Sequence, residues 1–395
     1  MKLVFIIPIG IERPSGRRYF CIARELVRRG HGVRILALHP DLASCAQRRF
    51  IRAGVEVWYV GQMHARKSES VPGRFTPLQL LRVLILATLG MVWGIICSPA
   101  DAYHLGKPQP VNGLAALVGV LLRGRRFYVD CDDDEVGSNR FTARWQRAVF
   151  GFWQWLLPRL AAGVTVNTPF LAERMRRAGV ARLVYVPNGV DLQGFGCPPP
   201  ATLAALRAAL GLAGRRVVAY AGTIALQNHP VDLLIAAFAV IAAALPEAVL
   251  LFIGGGEDLP ELRRQVELLG LHDRVYFTGQ VSHIGVRGYL ALAEVSVDPV
   301  RDDDVARARS PLKIFESMAL GVPVVTGDVG DRAALLDGGR AGALAPPGDP
   351  AALGAAIVGL LADESWRRAI VGAGRQHVQR YAWSALAAQW EQIYR

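Results

Sequence analysis

Apolar residues in this chain gather into short unbroken runs separated by amphipathic stretches, and that pattern admits few folds. Runs at 3–9, 33–38 and 55–60 read as strands, with a helix at 18–29 that ends on Gly30 between the first two. Further runs at 102–105, 126–129, 164–167 and 183–186 continue the series, with helices at 113–122 and 145–157. Strands that are apolar throughout, without in-and-out alternation, need cover on both faces, which implies a parallel sheet flanked by helices. A cluster of breakers, Gly194, Gly196 and Pro198-Pro199-Pro200, reads as a linker. A second series of strands follows at 216–221, 248–253, 275–278, 295–297 and 322–326. With 395 residues, too many for one compact core, the expectation is two doubly wound α/β domains, 1–195 and 196–378, followed by a segment 379–395. Ligands of such sheets bind beyond the carboxyl ends of the strands, so two of them are expected to enclose a cleft.

Composition narrows the classes. Cys21, Cys45, Cys97, Cys131 and Cys197 are odd in number and scattered, which suggests neither a disulfide framework nor a zinc site and fits a reducing cytosol. The N-terminal run is too short for a signal peptide and lacks a small-residue cleavage site. The longest apolar stretch, 83–97, falls short of the roughly 20 residues that span a bilayer, and it is expected to be a buried helix.

Charge is uneven: up to Cys197 there are 27 Lys and Arg against 13 Asp and Glu, whereas the remainder has 18 against 20. Such asymmetry points to nucleic acid, an anionic membrane or an acidic substrate, although a genome that favours arginine codons would give the same count. No nucleic-acid motif or interleaved aromatic platform accompanies the basic residues, so no nucleic-acid partner is expected. Arg17-Arg18, Arg28-Arg29, Arg48-Arg49, Arg66-Lys67 and Arg123, Arg125 and Arg126 are expected at helix ends or loops facing solvent, where they would give a peripheral, salt-reversible contact with an anionic membrane.

The segment 310–325 carries the most chemistry. Ser310 reads as a helix N-cap with Pro311 in the first turn, so the amides of Leu312 and Lys313 would lie at an anion-binding helix end. Lys313 adds a charge beside them, and Glu316 one turn later could accept from paired hydroxyls, a pairing that matches a diphosphate joined to a ribose. A plain capped helix with a solvated Glu is the competing reading. Gly254-Gly255-Gly256 is not a dehydrogenase fingerprint, because Leu259 stands where G-x-G-x-x-G needs its third Gly.

Residues 310–325 resemble the nucleotide-diphosphate loop and helix of glycosyltransferase family 4, the glycosyl transferases group 1. Gly30-His31-Gly32-Val33, Val186-Pro187-Asn188-Gly189-Val190-Asp191, Tyr220-Ala221-Gly222-Thr223, Phe252-Ile253-Gly254-Gly255-Gly256, Tyr276-Phe277-Thr278-Gly279 and Ala345-Pro346-Pro347-Gly348-Asp349 agree with it, in order along nearly the whole chain. The resemblance implies a GT-B fold of two Rossmann-like domains facing across a cleft, with the acceptor side in 1–195, the donor side in 196–378 and a terminal helix in 379–395 crossing back to the first domain. It also implies a retaining, metal-independent reaction without a cofactor, in which a nucleotide diphosphate sugar is co-substrate. Donor contacts would come from Gly222, Thr223, Gly254, Gly279, Arg309, Ser310, Pro311, Leu312, Lys313 and Glu316. The chain departs from the family pattern in two places. Ala308 stands where the first of two glutamates is common, and Thr223 and Asn228-His229 stand where an Arg and a Lys often hold the diphosphate; Lys313, Arg309 and Arg307 are the available replacements.

In the first domain the acidic run Asp130-Cys131-Asp132-Asp133-Asp134-Glu135 follows a strand, and Asp130 and Asp132 are candidates to orient an acceptor hydroxyl or take its proton. A magnesium or manganese site and a solvated capping loop are the alternatives for this run. Gly16, His104 and Asn188 are acceptor-side candidates, with a simple turn as the alternative for Gly16 and a core histidine as the alternative for His104. The function these readings converge on is transfer of a sugar from a nucleotide diphosphate sugar to a glycan, lipid-linked or small-molecule hydroxyl, by a protein in the cytoplasm or on the inner face of the membrane. A catalytically silent binding subunit and a nucleotide-sugar epimerase on the same fold are the alternatives. A pyridoxal phosphorylase is disfavoured by the scarcity of lysine.

Overall fold

A computed structural model describes residues 1–64, 75–141 and 143–395. They form two compact units: Met1–Pro187 together with Trp383–Arg395, and Asn188–Ala382. The division falls at 187/188 and not at 195/196, because the Val190 amide donates to Tyr381 O inside the second unit. Pro200, expected in the linker, opens a helix of that unit.

The first unit contains β1 (Lys2–Ile7), α1 (Pro14–Arg28), β2 (Gly32–His39), β3 (Arg49–Arg52), β4 (Val55–Gln62), α2 (Pro77–Ile96), β5 (Ala102–Gly106), α3 (Pro110–Leu122), β6 (Phe127–Cys131), α4 (Arg144–Leu160), β7 (Val164–Val166), α5 (Pro169–Arg177) and β8 (Leu183–Tyr185). Its eight strands run in the order β3-β4-β2-β1-β5-β6-β7-β8, all parallel except β3, which pairs antiparallel with β4. The chain leaves β1 toward β2 on one side and later returns to β5 on the other, so the order reverses between β1 and β5.

The second unit contains α6 (Pro200–Ala209), β9 (Arg216–Ala221), α7 (Val231–Ala244), β10 (Ala248–Ile253), α8 (Leu259–Leu268), β11 (Val275–Phe277), α9 (His283–Leu290), β12 (Val295–Asp298), α10 (Asp304–Arg307), α11 (Leu312–Leu320), β13 (Val324–Gly327), α12 (Arg332–Leu335), β14 (Ala343–Ala345), α13 (Pro350–Ala362) and α14 (Glu364–His377). Its parallel sheet has the order β11-β10-β9-β12-β13-β14, with the reversal between β9 and β12. Two buried apolar clusters cover its faces, one built on Phe238, Phe252 and Leu360, the other on Ile314, Phe315 and Leu335. The final helix α15 (Trp383–Glu391) packs on α1 of the first unit, where Trp390 is fully buried.

One expectation is overturned. The apolar stretch at 83–97 is part of α2, which begins at Pro77 because Thr76 and Gln79 form a capping box, Gln79 N donating to Thr76 Oγ1 at 3.4 Å and Thr76 N to Gln79 Oε1 at 3.0 Å. The helix is 20 residues long and, by length and composition, apolar enough to cross a membrane, yet most of it is not buried. Only Ala87, Met91, Gly94 and Ile95 are buried.

Candidate functional site

In a doubly wound sheet the ligand crevice lies beyond the carboxyl ends of the strands at the reversal of strand order, here β9 and β12 in the second unit and β1 and β5 in the first. Each unit brings charged side chains to that place.

In the second unit β12 ends on Asp298, which is buried. Helix α11, beyond the short α10, supplies Lys313, whose Nζ lies 3.2 Å from Asp298 Oδ1 and 4.0 Å from the centre of the Tyr220 ring of β9. Arg332 Nε donates to the other carboxylate oxygen at 2.9 Å, and Thr326 Oγ1 donates to the Asp298 carbonyl at 2.9 Å. Burial disfavours ionisation of this carboxyl, but Lys313 and Arg332 outweigh it and hold Asp298 well below the usual carboxylate range. One carboxylate thus faces two cations, and a positive charge is left over at the strand ends.

Backbone completes the cradle. The Gly222 amide donates to Ile253 O at 2.9 Å and the Ile224 amide to Gly255 O at 3.0 Å, which ties the loops after β9 and β10 together. Gly254 has φ 136°, and a side chain on it would overlap the Gly222 carbonyl oxygen; one on Gly256 would overlap that of Ile224. A side chain on Gly222 would approach Lys313 Nζ to 3.4 Å, so bare backbone lies against the ammonium. Gly279 pairs with Gly254 in an isolated bridge, and Thr223 is exposed, its carbonyl accepting from Tyr220 at 2.8 Å. Arg309 Nη1 donates to Asn228 O and lies 3.4 Å from His229 Nδ1. Burial, then Arg309 and Lys313, hold the His229 imidazole well below its ordinary pKa and therefore neutral. One turn along α11, Glu316 Oε1 sits 2.8 Å from His283 Nε2.

Two details differ from the sequence reading. The helix starts at Leu312 with Pro311 in the cap position, and Ser310 does not cap it: its hydroxyl accepts from the Asn188 amide at 3.1 Å and its carbonyl from Asn188 Nδ2 at 2.7 Å. Asn188 therefore belongs to the second unit, because the chain has already crossed into it there.

In the first unit Asp130 is fully buried. It accepts from Arg18 Nε at 2.9 Å, from Arg18 Nη2 at 3.1 Å and from Thr165 Oγ1 at 2.6 Å. Arg18 also donates to the carbonyls of Val186 and Pro187, so this residue, expected to face solvent, is a core tie holding the end of the unit. These bonds occupy both oxygens of the Asp130 carboxylate. Asp132 is different: Lys107 Nζ lies 2.9 Å from its Oδ1, in ion-pair contact without hydrogen-bond alignment, and 2.9 Å from Glu135 Oε1. Burial opposes the charge on Lys107, but Asp132 and Glu135 outweigh it and raise its pKa well above the ordinary value. Lys107 has φ 64°, unusual for a side-chain residue, and Asn112 Nδ2 braces that turn by donating to the carbonyls of Gly106 at 2.8 Å and Lys107 at 2.9 Å. Asp134 bonds Gln154 and Asp133 bonds Ser138, so most of the acidic run is occupied. Among the described residues no group of three or more His, Cys, Asp or Glu is arranged to hold a metal ion.

His104, for which the sequence offered both an acceptor-side place and a core histidine, is a core residue. Its Nδ1 is 2.9 Å from Tyr394 Oη and its ring stacks at 5.4 Å on Phe5, while burial lowers its pKa well below the ordinary value. Gly16 lies within α1, where a side chain would overlap the Gly10 carbonyl; the glycine is needed for close approach of α1 to the loop after β1. Asp298, Arg332, His283 and Lys107 escaped the sequence reading, and Arg18 entered it only as a solvent-facing charge. Lys107 left a signal, being one of four lysines in an arginine-rich chain and standing directly after a strand.

This is the fold of a GT-B glycosyltransferase, and comparison with known proteins agrees. Residues 16–189 match the family described as "Glycosyl transferase 4-like domain" and residues 215–363 that described as "Glycosyl transferases group 1". The chain belongs to glycosyltransferase family 4, the glycosyl transferases group 1. It is 30% identical over 215 residues to the phosphatidyl-myo-inositol mannosyltransferase of Mycobacterium leprae, covering 53% of each chain. It is also 30% identical over 244 residues to the alpha-D-kanosaminyltransferase of Streptomyces kanamyceticus, covering 60% of this chain and 61% of that one. The chain spans about half the length of the curated relatives it matches. Among solved structures, sucrose-phosphate synthase from Thermosynechococcus elongatus superposes with a TM-score of 0.78 at 22% identity, covering 100% of this chain and 98% of that one. Anabaena HepE in complex with UDP and glucose gives 0.74 at 19%, covering 100% and 99%. These likenesses establish the shared fold.

Proposed function

We propose that the chain transfers a hexosyl or similar group from a nucleotide diphosphate sugar to an acceptor hydroxyl, with retention of configuration and without a metal or cofactor. The observation that carries this reading is the buried Lys313–Asp298–Arg332 network with its surplus positive charge, set against the glycine loops after β9 and β10. A diphosphate fits it: backbone amides and Lys313 stabilise the charge that grows on the leaving group. Arg309 adds a guanidinium near His229. Glu316 has one oxygen on His283 and its second toward the ribose hydroxyls, and Gly222, Gly254 and Gly279 admit the nucleotide to the backbone. Asp132, the least hydrogen-bonded carboxylate of its cluster, orients the acceptor hydroxyl, while Asp130 and Arg18 keep the strand end rigid. A phosphatidyl-myo-inositol mannosyltransferase among the relatives supports a lipid-linked acceptor, and a kanosaminyltransferase supports a small-molecule one.

Ala308, buried where a family glutamate is common, and the exposed Thr223 favour a second reading, a donor-binding subunit without turnover. A thermal-shift panel of UDP, GDP and ADP sugars, followed by product analysis with the stabilising donor, tests both. A donor shift with transfer or hydrolysis supports the enzyme, a shift without either supports the subunit, and no shift with any donor refutes the site.

A further inference from the structure

The three helices α2, α3 and α4 lie side by side on one face of the sheet of the first unit. Gly119 sits where a side chain would collide with Ile95 of α2, and Gly113 where one would collide with Leu157 and Trp153 of α4, so the helices form one close-packed layer. Its outer surface is apolar. Leu78, Leu89 and Trp93 of α2 are 77%, 59% and 61% exposed, and Leu121 of α3 and Phe152 and Trp155 of α4 are more than half exposed. Most of the exposed large apolar side chains among the described residues lie on these helices. A soluble surface seldom carries a contiguous patch of this kind without a partner.

The charge says which partner. No Asp or Glu occurs in α2, α3 or α4, while Arg82, Arg144, Arg147 and Arg159 lie on α2 and α4 and Arg123, Arg125 and Arg126 follow α3, all exposed. Arg159 stacks on Trp155 at 4.6 Å, an apolar body with a cationic head. Leu121, Phe127 and Leu160, with Arg125 and Arg126, line a cavity of about 310 Å³ at the end of α3. Apolar walls beside two guanidiniums suit the chain and phosphate of an anionic lipid. Although α2 has the length of a spanning helix, it cannot span while folded here. The strands at its two ends, β4 and β5, lie in one sheet, and Gly90 and Gly94 press the helix onto Val60 of β4.

We propose that the α2–α3–α4 face is a monotopic membrane-docking surface, inserted by its leucines and tryptophans into the interface of an anionic bilayer and held there by the surrounding arginines. Arg66-Lys67, expected to join such a contact, lie outside the described residues. Insertion makes a different demand from charge attraction alone, because apolar contact is not screened by salt.

The test is flotation of the full chain with vesicles of phosphatidylcholine, with and without phosphatidylglycerol, at low salt and at about 1 M salt, where screening shortens to about 3 Å. The wild type is expected to float with the mixed vesicles and to remain substantially bound at high salt. Leu89→Glu with Trp93→Glu, both exposed, is expected to lose roughly tenfold or more in vesicle affinity with unchanged circular dichroism and unchanged nucleoside diphosphate binding. Arg125→Ala with Arg126→Ala is expected to lower the preference for phosphatidylglycerol. No flotation at low salt, full release at high salt, or unaltered flotation of the Leu89→Glu, Trp93→Glu variant each overturns the proposal. Light scattering that finds a dimer dissolved by the same variant, without vesicle binding, assigns the face to a second copy of the chain and overturns it too.

Discussion

Replacing Asp298 by Asn isolates the electrostatic logic of the second unit. The carboxylate is buried between Lys313 at 3.2 Å and Arg332 at 2.9 Å, so neutralising it leaves two buried cations without their counter-charge. Removing one partner of a buried pair costs about 3 to 5 kcal/mol. For a domain of this size, roughly 2 to 4 °C per kcal/mol translates that into about 6 to 20 °C in Tm. The pH dependence gives a second signature. Asp298 has a folded pKa held below its unfolded value, so its contribution is fully present above roughly pH 4 and is lost as pH falls toward the folded value. Calorimetry of wild type and Asp298→Asn should therefore show the largest gap near neutrality and a narrowing gap below roughly pH 4. A nucleoside diphosphate, itself an anion, replaces part of the missing charge and is expected to shift the variant's Tm more than the wild type's. A loss under about 1 kcal/mol, with a gap that stays constant into acid, would refute the reasoning.

Lys313→Ala and Glu316→Ala are each expected to weaken nucleoside diphosphate binding by more than about tenfold in titration calorimetry, the loss of about 1.5 to 3 kcal/mol that accompanies a charge-assisted contact. Activity is expected to survive EDTA and to fall in Asp132→Asn; equal losses from chelation and from the substitution in a transfer assay would point to a metal held by the carboxylate. Gly16→Ala forces a side chain against the Gly10 carbonyl and is expected to destabilise the first unit by about 1 to 3 kcal/mol in denaturant melts.

What the sequence made legible follows from how far apart the cooperating residues lie. Long apolar runs announced β1, β2, β9 and β10, because a strand buried on both faces must be apolar along its whole length. The edge strands β3 and β14 were not foreseen: Arg49–Arg52 is flanked by arginines and Ala343–Ala345 has only three residues, so neither stands out from a loop. Lys313 and Glu316 were visible together because both lie on the first turns of one helix. Asp298 and Arg332 are 34 positions apart and meet only through the parallel pairing of β12 and β13, which brings one strand end beside the other. His283 reaches Glu316 across 33 positions because α9 packs against α11. Asp130 was visible by its type and its place at a strand end, but its partner was not: Arg18, from 112 positions upstream, lies directly against it.

Helix α2 shows why hydropathy identifies an apolar segment without identifying its surroundings. Its inner stripe, Ala87, Met91, Gly94 and Ile95, is small or slender and seats the helix closely on β2 and β4, as a buried helix requires. The outer stripe of Leu78, Leu81, Leu89 and Trp93 is equally apolar, and nothing in the linear pattern separates the two. A helix apolar all round is normally enclosed on all sides. Here the sheet encloses one side only, and α3 and α4 extend the uncovered side without a single acidic residue. The arginines on and beside these helices and the long apolar run are thus two parts of one surface. The docking proposed above combines apolar insertion with charge, and vesicle binding that resists salt distinguishes it from the purely electrostatic contact that the charge count alone suggests.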